Sequence, residues 1–160
     1  LQTPHLFSGT IGDNVKYGKK DATDEEVKAA LRLVGAEEFG ERLNEEVGEG
    51  GDKLSTGEKQ LLSFARALLT NPRILIMDEA TSSIDTLTEA KIQDGIEQMI
   101  KGRTAIIVAH RLSTIKNCDR ILVIKKGKII EDGSHQVLME QKGHYHHLYT
   151  KQLRHELVDM

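Results

Sequence analysis

Three short stretches of this chain carry residue types that could act together on a phosphate. Residues 74–79 read ILIMDE, four apolar side chains running into Asp78 and Glu79. Such a run predicts a buried strand, and the carboxyl end of a strand in an α/β sheet is where loops open and ligands sit. There Asp78 would hold Mg²⁺ through water, and Glu79 would orient or deprotonate an attacking water. Two acids after a strand also serve simply to begin a solvated loop. Residues 54–60, LSTGEKQ, put Ser55 and a small-residue turn at the start of an amphipathic helix. Free backbone N–H groups and the positive end of the helix dipole suit a phosphate there, while a serine in that place is equally an ordinary N-cap. His110 follows a second apolar run, residues 104–109, so it too stands at a strand end, where it can donate a hydrogen bond to a phosphate oxygen or serve structure alone.

These stretches need elements to hold them. Residues 23–34 (TDEEVKAALRLV) predict a helix: Thr23 caps it, Glu26 takes the capping-box position, and Val27, Leu31 and Val34 share a face. Residues 37–43 suggest a short second helix. The glycine-rich run 47–57 predicts flexible chain without regular structure until it enters a helix over 56–69, which turns Leu61, Leu62, Phe64, Ala65 and Leu68 to a core. Pro72 leads into the strand at 74–77, whose unbroken apolar character predicts burial on both faces, as in a parallel sheet. A helix at 86–100 and a second buried strand at 104–109 follow. Strands at 120–124 and 128–131 flank a turn at Lys126 and Gly127 as a hairpin, and residues 138–157 read as helical and polar. Helix alternating with buried strand is an α/β pattern.

Composition narrows the class. The 160 residues, 38% hydrophobic and 29% charged, suffice for one globular domain with a core. A net charge of −3 offers no general attraction to nucleic acid or to an anionic membrane surface. No apolar run approaches the length of a membrane span, and residues 1–8 are no signal peptide. Cys118 has no second cysteine to pair with, which suits a reducing cytoplasm. The first residue is Leu1 rather than Met, which suggests a piece of something longer. His144, His146, His147 and His155 crowd the tail at a spacing that matches no trusted metal site and favours a solvated helix.

In combination, these stretches resemble the nucleotide-binding domain of exporter-type ABC transporters, from the Q-loop onward. Residues 54–60 look like the family signature, usually Leu-Ser-Gly-Gly-Gln, and residues 74–79 like the Walker B strand with its catalytic glutamate. Residues 82–85 (SSID) look like the D-loop, and His110 like the switch histidine. Gln2, ahead of residues 4–11 (PHLFSGTI), looks like the Q-loop, and residues 46–51 (EVGEGG) like the loop that exporters carry before the signature. Six motifs in the family's order cover nearly the whole chain. The resemblance implies a P-loop NTPase, RecA-like fold: a partial parallel sheet flanked by helices, plus a helical subdomain. It divides the chain into a Q-loop region (1–8), a helical subdomain ending in the signature (9–58), half of the core (59–137) and a helical tail (138–160).

The implied activity is ATP hydrolysis with Mg²⁺, coupling ATP-driven dimerisation to export of a substrate, at the cytoplasmic face of a membrane. Glu79 and His110 would be catalytic. Asp78 and Gln2 would hold Mg²⁺ through water. Ser55, Thr56, Gly57 and Glu58 would meet the γ-phosphate of a nucleotide held by a second nucleotide-binding domain, and Asp85 would couple the two halves. Splitting the site suits phosphoryl transfer, which needs mainly positioning and electrostatics. The region beside Gln2, with Leu6 and Phe7, would help form a groove for the coupling helices of the transmembrane domain. No nucleic acid partner is implied.

Two departures temper the match. The signature carries Thr56 where glycine is usual and Glu58 where glutamine is usual, so its side chains would crowd the backbone and repel a triphosphate, giving a weakened site. No Gly-x-x-x-x-Gly-Lys-Ser/Thr loop occurs in these residues. In the family that loop and its strand precede the Q-loop, so apolar sheet edges are expected to stand open. Two rivals remain at this point. A degenerate or regulatory cassette is favoured by Thr56 and Glu58. A soluble ABC ATPase of DNA repair or chromosome type would need long coiled coils where only about 50 residues separate Gln2 from Ser55.

Overall fold

The helices of this chain start where side chains can satisfy their first N–H groups. In the structure, a computed structural model describing residues 4–78, 86–109 and 112–158, three helices open on full capping boxes. Thr10 and Asp13 cap α1 (Ile11–Lys16), Thr23 and Glu26 cap α2 (Asp24–Leu33), and Ser55 and Glu58 cap α3 (Thr56–Leu69). In each, the first hydroxyl accepts from the backbone three residues on and that residue's carboxylate accepts from the cap's own N–H, removing two orphan donors. Lys16 pairs with Asp24 at 2.6 Å and so ties α1 to α2.

The described residues divide into two compact units, Leu1–Ile107 and Val108–Met160. In the first, α3 packs against α1, α2 and α4 (Thr86–Ile100). Leu61, Leu62, Ala65 and Leu68 of α3 meet Ile11 and Val15, Val27 and Leu31, Ile92, Ile96 and Met99 in one apolar core. Phe39, on a 3-10 turn at Glu37–Glu41, is fully buried there. Each of these side chains larger than alanine contributes about 1.5–3 kcal/mol by leaving water.

Strand β1 (Ile74–Asp78) follows α3 and pairs with β2 (Thr104–Val108), the two joined across α4. A helical crossover of this kind is what a parallel pair requires. The expectation of burial on both faces is not met. Leu75 lies in the core, whereas Ile74 and Ile76 are 62% and 76% exposed and Ile106 is 55% exposed. Alternation along a strand sends neighbouring side chains to opposite faces, and among the described residues of this unit helices cover only the Leu75 side.

In the second unit, α5 (Leu112–Lys116) precedes an antiparallel hairpin of β3 (Ile121–Lys125) and β4 (Lys128–Gly133), pinned by a two-bond Arg120–Asp132 ion pair. The helical tail is built of two helices. Lys142 adopts left-handed geometry (φ 52°) and ends α6 (His135–Gln141). Helix α7 (His144–Val158) then starts on Glu131, whose carboxylate accepts from the N–H groups of His144 and Tyr145 at 2.6 and 2.7 Å. A Cβ at Gly143 would meet that carboxylate, so a larger residue there would push the Glu131 side chain off its N–H partners. The Tyr145 hydroxyl lies 2.7 Å from His135 Nδ1, and burial, reinforced by Tyr149 and Cys118, pushes Tyr145 up to about 12. Among the described residues, no helix is long and apolar enough to cross a membrane.

Two leucines of α2 test where the core lies, since Leu31 is fully buried and Leu33 is 53% exposed. Leu31→Ala should lower unfolding free energy in urea by roughly 2–5 kcal/mol, and Leu33→Ala by less than about 0.5 kcal/mol.

Candidate functional site

The approach to the tip of α3 is built from glycines that no other residue could replace cheaply. Gly48, Gly50 and Gly51 have φ of 81°, 60° and 75°, and the chain there forms a 3-10 turn over Glu49–Gly51. The run expected to be flexible and without regular structure is thus an ordered turn, held by the bonds of Val47 N–H to Gly9 and Lys53 N–H to Val47. Leu54 then buries, and Ser55 begins α3 in the open.

At the tip, Ser55 Oγ accepts from Glu58 N–H at 3.3 Å, and Ser55 N–H donates to the Glu58 carboxylate at 2.7 Å. Lys59 N–H goes to the Ser55 carbonyl. Thr56 and Gly57, the first two helical residues, have no intrahelical acceptor for their N–H groups. Ser55 and Thr56 are exposed and Gly57 is buried. The tip therefore offers N–H groups and a hydroxyl to an anion, but it also carries a carboxylate of its own where glutamine would be neutral.

Asp78, exposed, ends β1 at the carboxyl edge of the strand, as expected. Its oxygens are the hard donors that suit Mg²⁺. It lines a cleft of about 650 Å³ together with Leu75, Met77, Gln60, Ser63 and Arg66. Gln60 Oε1 is buried against this cleft without a hydrogen-bond partner. Ser55, Thr56, Gly57 and Glu58 are brought together at one helix start, and Asp78 stands on the cleft rather than with them. Gln2, Glu79, Asp85 and His110 lie outside the described residues.

Sequence reasoning missed a polar cluster beside these elements. Asn14, 2% exposed, clamps Phe7 from both sides: its Oδ1 accepts from Phe7 N–H at 2.9 Å and its Nδ2 donates to the Phe7 carbonyl at 2.9 Å. Arg66 of α3 donates through Nε to the Asn14 carbonyl (2.8 Å), through Nη2 to Asn14 Oδ1 (3.1 Å) and through Nη1 to the His5 carbonyl (3.1 Å). Its guanidinium also lies 5.5 and 5.7 Å from the ring centres of Phe7 and Tyr17, which stack at 4.2 Å. Burial draws the Arg66 pKa down, with Tyr17 opposing. The signal was present: Arg66 is the one charge in residues 60–72.

The model of the family described as ABC transporter matches residues 1–82. A relative in Bacillus subtilis, named as a probable multidrug resistance ABC transporter ATP-binding/permease protein, is 54% identical over 95% of this chain and 23% of its own length. An ATP-dependent lipid A-core flippase of Desulfotalea psychrophila is 49% identical over 92% of this chain and 26% of its own. A solved structure of a bacterial Atm1-family ABC exporter with ATP bound superposes with a TM-score of 0.83 at 42% identity, covering 94% of this chain and 27% of that one. The chain spans about a quarter of the length of these relatives.

If Ser55 is the cap that positions the tip, Ser55→Ala should cost about 1 kcal/mol in thermal or urea unfolding. A change below a few tenths would show that the tip is held by the glycine turn alone.

Proposed function

This chain belongs to the ABC transporter family, and we propose that it is part of the ATP-binding and ATP-hydrolysing motor of an exporter. Its fold, a partial α/β P-loop NTPase, and its exporter relatives support that reading. The observation that carries it furthest is the placement of an exposed serine-led tip on α3 and an exposed aspartate at the end of β1, within a chain that superposes over nearly its full length on an exporter.

On this reading the intact protein holds Mg-ATP between two nucleotide-binding domains. Ser55 Oγ and the N–H groups of Thr56 and Gly57 donate to the γ-phosphate of the nucleotide held mainly by the opposite domain. Asp78 and Gln2 hold water around Mg²⁺, which when bound offsets charge on the phosphate oxygens. Glu79 orients the attacking water and accepts its proton, and His110 donates to the γ-phosphate as charge builds there. Asp85 couples the two halves. The aromatic surface of Phe7 and Tyr17 receives the coupling helices of a transmembrane domain, which places the motor on the cytoplasmic face of a membrane. The isolated chain, with no Walker A loop in its residues, binds ATP poorly and turns none over.

Glu58 bears on how strong the site is. Its carboxylate is fastened to the Ser55 amide, so negative charge stands at the tip that must meet a triphosphate. Thr56→Gly with Glu58→Gln in the intact protein should raise ATPase activity or lower the ATP concentration needed for half-maximal rate. Unchanged ATPase activity would remove the idea of a weakened site.

The main reading has its own test. Glu79→Gln in the intact protein should cut ATP turnover by about 100-fold or more while leaving ATP binding in place. Turnover within a few-fold of wild type, or robust Mg²⁺-dependent turnover by the isolated 160 residues, would contradict it.

A further inference from the structure

We propose that Arg66 is a positioning residue that carries movement of the α3 tip to the exposed aromatic surface of Phe7 and Tyr17. The inference rests on the reading of that tip as a nucleotide-contacting element. Arg66 lies 11 residues beyond Ser55 on one unbroken helix, a span of about 16 Å along a stiff rod.

The contacts of this one side chain are more than a local tie would need. Three guanidinium nitrogens reach acceptors in two separate segments, at His5 and Asn14, which are 61 and 52 residues away in sequence. Asn14 in turn grips both backbone polar groups of Phe7. Phe7 is therefore fixed by Asn14, and Asn14 by Arg66. The face of the same guanidinium supports both rings, which remain 39% and 55% exposed. A stacked aromatic pair kept open to solvent while its underside is held by a half-buried cation is arranged as a platform.

A second link meets the same segment from the other end of α3. Thr10 bridges Glu46, and Gly9 accepts from Val47, directly before the glycine turn that delivers Ser55. The segment that carries Phe7 is thus tied both to the approach to the tip and to the body of the helix behind it. A shift of α3 reaches the platform through this fork in addition to the apolar packing of α1 on α3. Packed and hydrogen-bonded links of this kind are one route by which distant sites couple. Lysine would keep the charge and the stem but not the planar fork that spans two segments.

The test is hydrogen–deuterium exchange on the intact protein, with and without Mg-ATP plus vanadate, in wild type, R66K and R66M. R66M keeps an unbranched apolar stem and serves if R66K does not fold. In wild type, nucleotide should change exchange in residues 53–60 and 5–18 together. In either variant the response at 53–60 should persist while that at 5–18 shrinks by roughly fivefold or more. A response at 5–18 equal to wild type would overturn the proposal. So would faster exchange at 5–18 by the same factor with and without nucleotide, which would mark Arg66 as a structural tie only. Wild-type protein that neither binds nor hydrolyses Mg-ATP would overturn the functional reading itself, and this inference with it.

Discussion

Helix α3 must bury one face against three other helices and yet begin in solvent. Its core side is unbroken, Leu61, Leu62, Ala65 and Leu68 all within a few per cent of full burial, and this contact with α1, α2 and α4 organises the first unit. Its start at Ser55 and Thr56 is exposed, so Ser55 answers the N–H groups of Glu58 and Lys59, Glu58 answers the Ser55 N–H, and those of Thr56 and Gly57 have no intrahelical acceptor. Everything else near the tip follows from that division. The glycine turn exists to bring the chain to Ser55 at the required angle, and Leu54 buries to anchor the last step.

The same division separates rigid support from chemistry. The proposed reacting groups sit at element ends, a helix start for Ser55 and Gly57 and a strand end for Asp78, where backbone donors are free and loops open. The supports sit one or more turns inward. Asn14 and Arg66 show how costly such support is. The buried amide of Asn14 is tolerated because its oxygen and both its N–H groups are paired, and all three nitrogens of the half-buried Arg66 donate; leaving one such buried group unpaired would cost about 1–3 kcal/mol. Glu58 is the opposite case. It stabilises its own helix by closing the capping box, and on the proposed reading that gain stands against phosphate binding at the tip.

Local signals were legible in the sequence wherever a cap or a hard stop defined them. Ser55 with Glu58 marks the start of α3, and Thr23 with Glu26 that of α2, and both helices begin there. The hairpin turn at Lys126 and Gly127 is equally local, with both residues at positive φ. Thr10 and Asp13 form the same box ahead of α1, but a six-residue helix gives too little periodicity to be read. The split of the tail was hidden because it depends on Glu131, more than ten residues upstream, reaching the start of α7. Burial of β1 was misread because an apolar run says that a strand can be covered on both faces, not what covers it. The Arg66 cluster was missed for a similar reason: its partners are over 50 residues away, and spacing rules see only neighbours. Family resemblance supplied what residues alone left open, the proposed joint role of Asp78, Glu79 and His110.

The central claim is that these separate stretches gather on one magnesium-bound triphosphate. The most direct measurement is a structure of the intact protein with Mg²⁺ and a non-hydrolysable ATP analogue. Asp78, Glu79 and His110 of one domain and Ser55 and Gly57 of the opposite domain should then surround the same γ-phosphate, directly or through one water or the ion, at hydrogen-bond distances of about 2.7–3.2 Å. Asp78 and His110 on unrelated faces, or the α3 tip turned away from the nucleotide, would contradict the account.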